Sequence, residues 1–266
     1  LIKAIWNNAY KHYNETWPEN RKRDNPFKTV NLLNLEDKHL SELASGDVQD
    51  KTRRPFTPAE LEVFLREYLP RMGEELQLIT LICEHAGCRI GDATGLLLGD
   101  CLLRTDDMRP IPSLKIHSNH IRQVTKKGIE REIPLFGGVY ERLLSFTDGR
   151  KGRDRPLFPT YGTSDGAGNA SAAINKHIHD LRGTEVRLTF HSFRHTVQNK
   201  AMAAPGLLNK FPAYIGGWNN DAAKGLQAEY QTGGIPIDVL YDALKTIHDV
   251  KKWGRDINNP HYNEWI

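Results

Sequence analysis

The 266 residues predict a mostly α chain with one small antiparallel β-sheet, an α+β fold. Apolar residues recur at helical spacing over most of the length, before residue 100 and again after residue 139. Short alternating or β-branched stretches are confined to residues 100–135, and Lys126-Lys127-Gly128 lies in turn position between the last two of them.

Residues 1–15 place Ile2, Ile5, Trp6 and Ala9 on one side of a helix that Trp17-Pro18-Glu19-Asn20 cannot continue. Asn25-Pro26 marks a turn, and the chain to residue 54 has linker composition with one short helix near residues 36–43. Leu1 is not a start methionine, so the chain is expected to begin inside a longer protein. A sharper signal is Thr57-Pro58-Ala59-Glu60, a capping box with proline at the first helical position, opening a helix with Leu61, Phe64, Leu65 and Tyr68. A more apolar helix is expected over 74–86, ended by Gly87. Cys88-Arg89-Ile90-Gly91-Asp92 follows, backed by Leu96, Leu97 and Leu98, so Arg89 opens a short helix held by leucines. Strands are expected at 100–103, 113–117, 120–124 and 131–135, then helices near 139–146, 171–182, 192–204, 207–215, 221–231 and 236–250.

A formal charge of +3 and a pI near 8.7 are too mild to identify a partner. Three cysteines argue against a disulfide framework and for a reducing compartment. Cys83, His85 and Cys88 lack paired Cys-x-x-Cys spacing and are not expected to bind zinc. No apolar run reaches the ~18 residues of a membrane span, and no signal peptide opens the chain, so a soluble, cytoplasmic protein is expected.

The densest chemistry lies in Thr189-Phe190-His191-Ser192-Phe193-Arg194-His195-Thr196. His191 and Arg194 stand three apart, on one face of a helix. A planar guanidinium matches two phosphate oxygens, and an imidazole donates a hydrogen bond or moves a proton near neutral pH. A phosphate is the natural occupant of the point they share. His195 faces elsewhere on that helix and reads as structural.

In chain order, Arg89 after an apolar helix, Lys126 in a β-hairpin, His191-x-x-Arg194, Ile215-Gly216-Gly217-Trp218 and Tyr230 resemble the catalytic domain of the tyrosine recombinases, the phage-type integrase family. The resemblance covers about residues 55–250 and implies that family's DNA breaking-rejoining catalytic fold. Residues 1–54 would be the last helix of an amino-terminal core-binding domain plus linker, 55–250 the catalytic domain, and 251–266 a carboxy-terminal tail.

The resemblance also implies roles. Arg89 and Arg194 would grip the non-bridging oxygens of the scissile phosphate, Tyr230 would be the nucleophile, and Lys126 the general acid for the leaving 5′-oxygen, with Lys127 as its alternative. His191 would handle protons near the nucleophile, Trp218 would offer its indole N–H to the phosphate, and Asp92 would support Arg89. Tyr241 is the fallback nucleophile, although Ile237, Leu240 and Leu244 around it suggest a packing face. The implied activity is site-specific recombination through a 3′-phosphotyrosyl intermediate without metal, ATP or other cofactor, integrating or excising a mobile element or prophage. Implied partners are double-stranded DNA, further copies in a tetrameric synapse and accessory DNA-bending proteins. A type IB topoisomerase or a catalytically silent DNA-binding relative are the alternatives. The gap from Trp218 to Tyr230 exceeds the family's usual one, with Asn219, Asn220 and Asp221 as the added loop. The helix at 236–250 is left to pack either on a neighbouring copy or on its own chain.

Overall fold

Thr57 and Glu60 close the capping box their spacing predicts. Thr57 Oγ1 accepts the Glu60 amide at 3.2 Å, and Glu60 Oε2 accepts the Thr57 amide at 2.8 Å. They open helix α1 (Pro58–Val63) in a computed structural model that describes residues 53–105, 110–122, 130–183, 187–218 and 235–249. All of these belong to one compact unit, Thr52–Ile266. The helices expected at 1–15, 36–43 and 221–231, and the lysine turn at 126–128, lie outside the described residues.

The expected helical spacing does not run straight on from α1. A π-helical turn at Phe64–Tyr68 and a 3₁₀ turn at Leu69–Arg71 take over where Pro70 removes a backbone donor. Helix α2 (Glu74–Ala86) is buried over its last nine residues, as an apolar helix at the centre of a fold should be. Gly87 ends it at φ +64°, where its amide returns to the Cys83 carbonyl at 2.9 Å. A Cβ at Gly87 would come within 2.9 Å of the Val197 side chain, so the close approach needs glycine as well. Helix α3 (Ile90–Thr94) follows, with Arg89 as its N-cap residue.

Strands β1 (Cys101–Leu102), β2 (Ser113–Ile116) and β3 (Arg131–Pro134) form one antiparallel sheet in the order β1-β2-β3. Leu114 faces Ile133 across the β2–β3 ladder, and both are buried. The strand expected at 120–124 is not present over its described residues. Asn119 Oδ1 instead accepts the amides of Ile121 at 3.0 Å and Arg122 at 2.9 Å, a side-chain-capped turn that competes with strand pairing.

Helices α4 (Gly137–Thr147), α5 (Gly166–Arg182), α6 (Ser192–Ala203), α7 (Lys210–Ile215) and α8 (Ile237–His248) complete the described elements. α5 begins five residues earlier than expected and α7 three later. Phe193 stacks among Phe56, Phe64 and Phe190 with ring centroids 4.6–5.5 Å apart, which locks the first turn of α6 into the core. Between α2 and α6, Lys200 Nζ meets Glu84 Oε1 at 3.0 Å with both side chains buried. α8 packs on α6, α7 and β3 of its own chain. There His248 Nε2 hydrogen-bonds the His85 carbonyl at 2.8 Å, and the two imidazoles stack at 5.1 Å. No described helix is long and apolar enough to cross a membrane.

Candidate active site

Two chain turns, the end of α2 at Gly87 and the end of α7 at Gly216 and Gly217, bring their carbonyl groups to one place, facing the start of α6. Arg194, in the first turn of α6, donates from Nη1 to the Gly87 carbonyl at 2.7 Å and to the Gly216 carbonyl, and from Nη2 to the Gly217 carbonyl at 3.2 Å. Arg89 donates from Nη1 to the same Gly217 carbonyl at 2.8 Å. One oxygen therefore accepts from both guanidinium groups, and the two arginines converge although 105 positions of chain separate them.

Gly217 adopts φ +63°, and a Cβ there would lie 2.5 Å from Cζ of Arg131. Glycine is needed at this point for its backbone and for its missing side chain alike. Trp218 follows, its ring 5.6 Å from the Arg194 guanidinium in a cation–π arrangement. Its indole lies over Gly216, where a Cβ would come within 2.7 Å of Nε1. That Nε1 is buried without a hydrogen-bond partner among the described residues, as is the Thr189 hydroxyl.

In front of the arginines lies a cavity of about 530 Å³, within the range of small-molecule sites. Of the expected site residues, Arg89, Asp92, His191 and Arg194 line it. Trp218 stands behind Arg194 and is not a lining residue. Lys126, Lys127 and Tyr230 lie outside the described residues. Tyr241, the fallback nucleophile, packs edge-on against Phe136 at 5.4 Å, on the face its apolar neighbours suggested, and does not line the cavity.

Sequence reasoning missed three further cavity arginines, Arg53, Arg122 and Arg131. Arg131 donates from Nε to the Ile215 carbonyl at 2.8 Å and from Nη2 to Asp92 Oδ2 at 2.7 Å, tying the end of α7 to α3. A signal for it existed, because the alternation of β3 puts Arg131 on the inward face with Ile133. Arg122 donates to the carbonyls of Asp92 and His117 from a turn that carries no such signal. Ser171 and Asn175 of α5 form a neutral wall, where Asn175 Oδ1 accepts the Phe190 amide at 2.7 Å.

Five arginines and one carboxylate make the described lining strongly cationic. Burial tends to raise the Asp92 pKa. The charge and hydrogen bond of Arg131, with the Arg89 amide, outweigh it and hold the carboxyl below its ordinary value. Burial, then the charge of Arg89, brings Arg194 down to about 10, still protonated at neutral pH. Burial, then His195 and the arginines Arg53, Arg194 and Arg89, lowers His191 to about 4. Its imidazole is neutral at pH 7, with one ring nitrogen free to accept a hydrogen bond, and its basicity is reduced by the surrounding cations. Burial, then the adjoining Cys88 thiol, pushes the cavity's Cys83 thiol well up, so it stays protonated and is a poor nucleophile. The arrangement can hold and polarise a tetrahedral anion beside a neutral base.

No family model matches the chain, and no curated protein matches it. Among solved structures it is similar to the Tn1549 transposon integrase in complex with transposon right end DNA. Identity is 20%, over 90% of this chain and 78% of that one, with a TM-score of 0.48.

Proposed function

We propose that this chain is a DNA strand transferase of the tyrosine recombinase family, a site-specific recombinase that integrates or excises a mobile element. The observation that carries the reading is the meeting of Arg89 and Arg194 at one carbonyl oxygen, beside a neutral His191, in a cationic cavity. A phosphodiester repels nucleophiles until its charge is met by donors already in place, and removing one such donor typically costs ~3 kcal/mol of transition-state stabilisation.

In this reading the Tyr230 oxygen attacks phosphorus while the bond to the 5′-oxygen breaks. The phenol proton passes towards the His191 imidazole, and Lys126 gives a proton to the leaving 5′-oxygen. A 3′-phosphotyrosyl ester and a free 5′-hydroxyl result, and attack by another strand's 5′-hydroxyl reverses the step. One phosphoester replaces another, so the exchange needs no nucleotide, and the arginines supply the charge a metal otherwise would. Asp92, through Arg131 and the Arg89 amide, positions the first arginine, and Trp218 backs the second. Residues 55–250 would be the catalytic domain, acting on duplex DNA in the cytoplasm as a tetrameric synapse. Residues 1–54 would be the end of a core-binding domain with its linker.

The test is covalent trapping. Nicked duplexes of randomised sequence are incubated with the protein and resolved on a denaturing gel. Wild type is expected to form a protein–DNA adduct and Tyr230→Phe none, with DNA binding nearly unchanged. An adduct that persists in Tyr230→Phe rejects the nucleophile. Sequencing the trapped ends separates a recombinase, with preferred cut sites, from a topoisomerase cutting without site choice.

A further inference from the structure

The cavity's arginines divide by what holds them. Arg89, Arg122, Arg131 and Arg194 are tied by hydrogen bonds to the chain's own carbonyl groups, and Arg131 also to Asp92. Arg53 has no hydrogen-bond or ion-pair partner among the described residues, and its side chain is exposed. Its backbone is nevertheless fixed. The next residue, Arg54, donates its amide to the Arg187 carbonyl at 3.3 Å and grips Glu60 with both Nη atoms at 2.8 and 2.7 Å. Phe56, fully buried, donates its amide to Thr196 Oγ1 of α6 at 2.9 Å. A free guanidinium on an anchored stretch of chain, facing a cavity already rich in cations, costs electrostatic energy that an anion would relieve. His195 stands on the same side, its ring 4.9 Å from that of His191, and Arg53 acts electrostatically on both.

A cavity of about 530 Å³ exceeds what one phosphate fills, so room remains beside the phosphate held by Arg89 and Arg194. We propose that Arg53 is a second phosphate-binding group of this cavity, taking the phosphate next to the scissile one on the same DNA strand. The inference rests on the DNA-cleaving reading above and adds a residue and a subsite to it. Its fork suits two oxygens of one phosphate.

The experiment compares two probes on the full chain by calorimetry, inorganic phosphate and thymidine 3′,5′-bisphosphate, whose phosphates are one nucleoside apart. Wild type is expected to bind the bisphosphate about tenfold more tightly. Arg53→Gln is expected to erase that preference while inorganic phosphate still binds at the Arg89–Arg194 grip, and an unchanged Tm shows the variant to be folded. The His195 ring is expected to titrate at higher pH in Arg53→Gln, because a cationic neighbour is gone. A preference that persists in Arg53→Gln overturns the assignment. Phosphate binding without any wild-type preference for the bisphosphate overturns this inference alone, and failure of wild type to bind either probe overturns the arginine grip as well.

Discussion

Arg194 and Lys200 lie six residues apart on the same helix, and both are buried, yet the chain treats their charges in opposite ways. Lys200 meets the Glu84 carboxylate at 3.0 Å, so its charge is cancelled where it stands. Arg194, with Arg89 and Arg122, is hydrogen-bonded by main-chain carbonyls, which satisfy N–H groups and orient the guanidinium without neutralising it. The first arrangement joins two helices. The second stores positive potential facing a cavity, which is what an anionic substrate needs. Hydrogen-bond satisfaction and charge compensation are separate properties, and the two buried cations of this helix show them apart.

The largest effect should come from unbalancing the compensated side. Lys200→Met leaves Glu84 buried without its lysine and is expected to cost about 3–5 kcal/mol in urea unfolding, while Lys200→Met with Glu84→Leu recovers most of it. A single variant as stable as wild type would remove the pair from any structural role. On the uncompensated side, Arg194→Lys keeps the charge and loses the fork. Trapped-adduct formation is expected to fall a hundredfold or more, about 3 kcal/mol, with binding of inorganic phosphate reduced far less; near-wild-type rates would refute the two-pronged grip.

Asp92 stands between the two cases, the one carboxylate among the described arginine lining. Its pKa is depressed in the folded state, so its contribution is present above the ordinary aspartate value and lost as pH falls through the lower folded one. Asp92→Asn is expected to lose about 1–3 kcal/mol at pH 7 and to flatten the acid limb of the stability curve; an unchanged limb would show that the carboxylate is not held by Arg131. The smallest effect belongs to the part-exposed Arg54–Glu60 pair. Burial tends to raise Glu60, but Arg54 and Thr57 outweigh it and lower the carboxyl from 4.5 to about 2, so its contribution fades between those pH values on acidification. Glu60→Gln is expected to cost about 1 kcal/mol, read as a small fall in Tm.

Local signals were legible from sequence where a single turn or period decides the structure. The capping box at Thr57, the glycine stop at Gly87 and three of the four expected strands stand where their chemistry puts them. Motif order singled out Arg89, His191, Arg194 and Asp92 together, and the structure brings all four to one cavity. The misses share a cause. Arg122 enters through a turn whose Asn119 is held by the Gly95 carbonyl 24 residues away, and Arg53 through anchoring by residues 54 and 56, so their positions depend on contacts distant in sequence. Trp218 was expected to face the phosphate, whereas its indole is turned onto Gly216, a contact that only the missing side chain of that glycine allows.

Gly217 has a practical implication for anyone hoping to retune this molecule. Arg89 and Arg194 share a main-chain oxygen at a position whose backbone angle and crowding against Arg131 favour glycine strongly. Directed evolution by substitution can thus reshape the walls and mouth of the recess freely, but the gauge between its two jaws answers to backbone geometry.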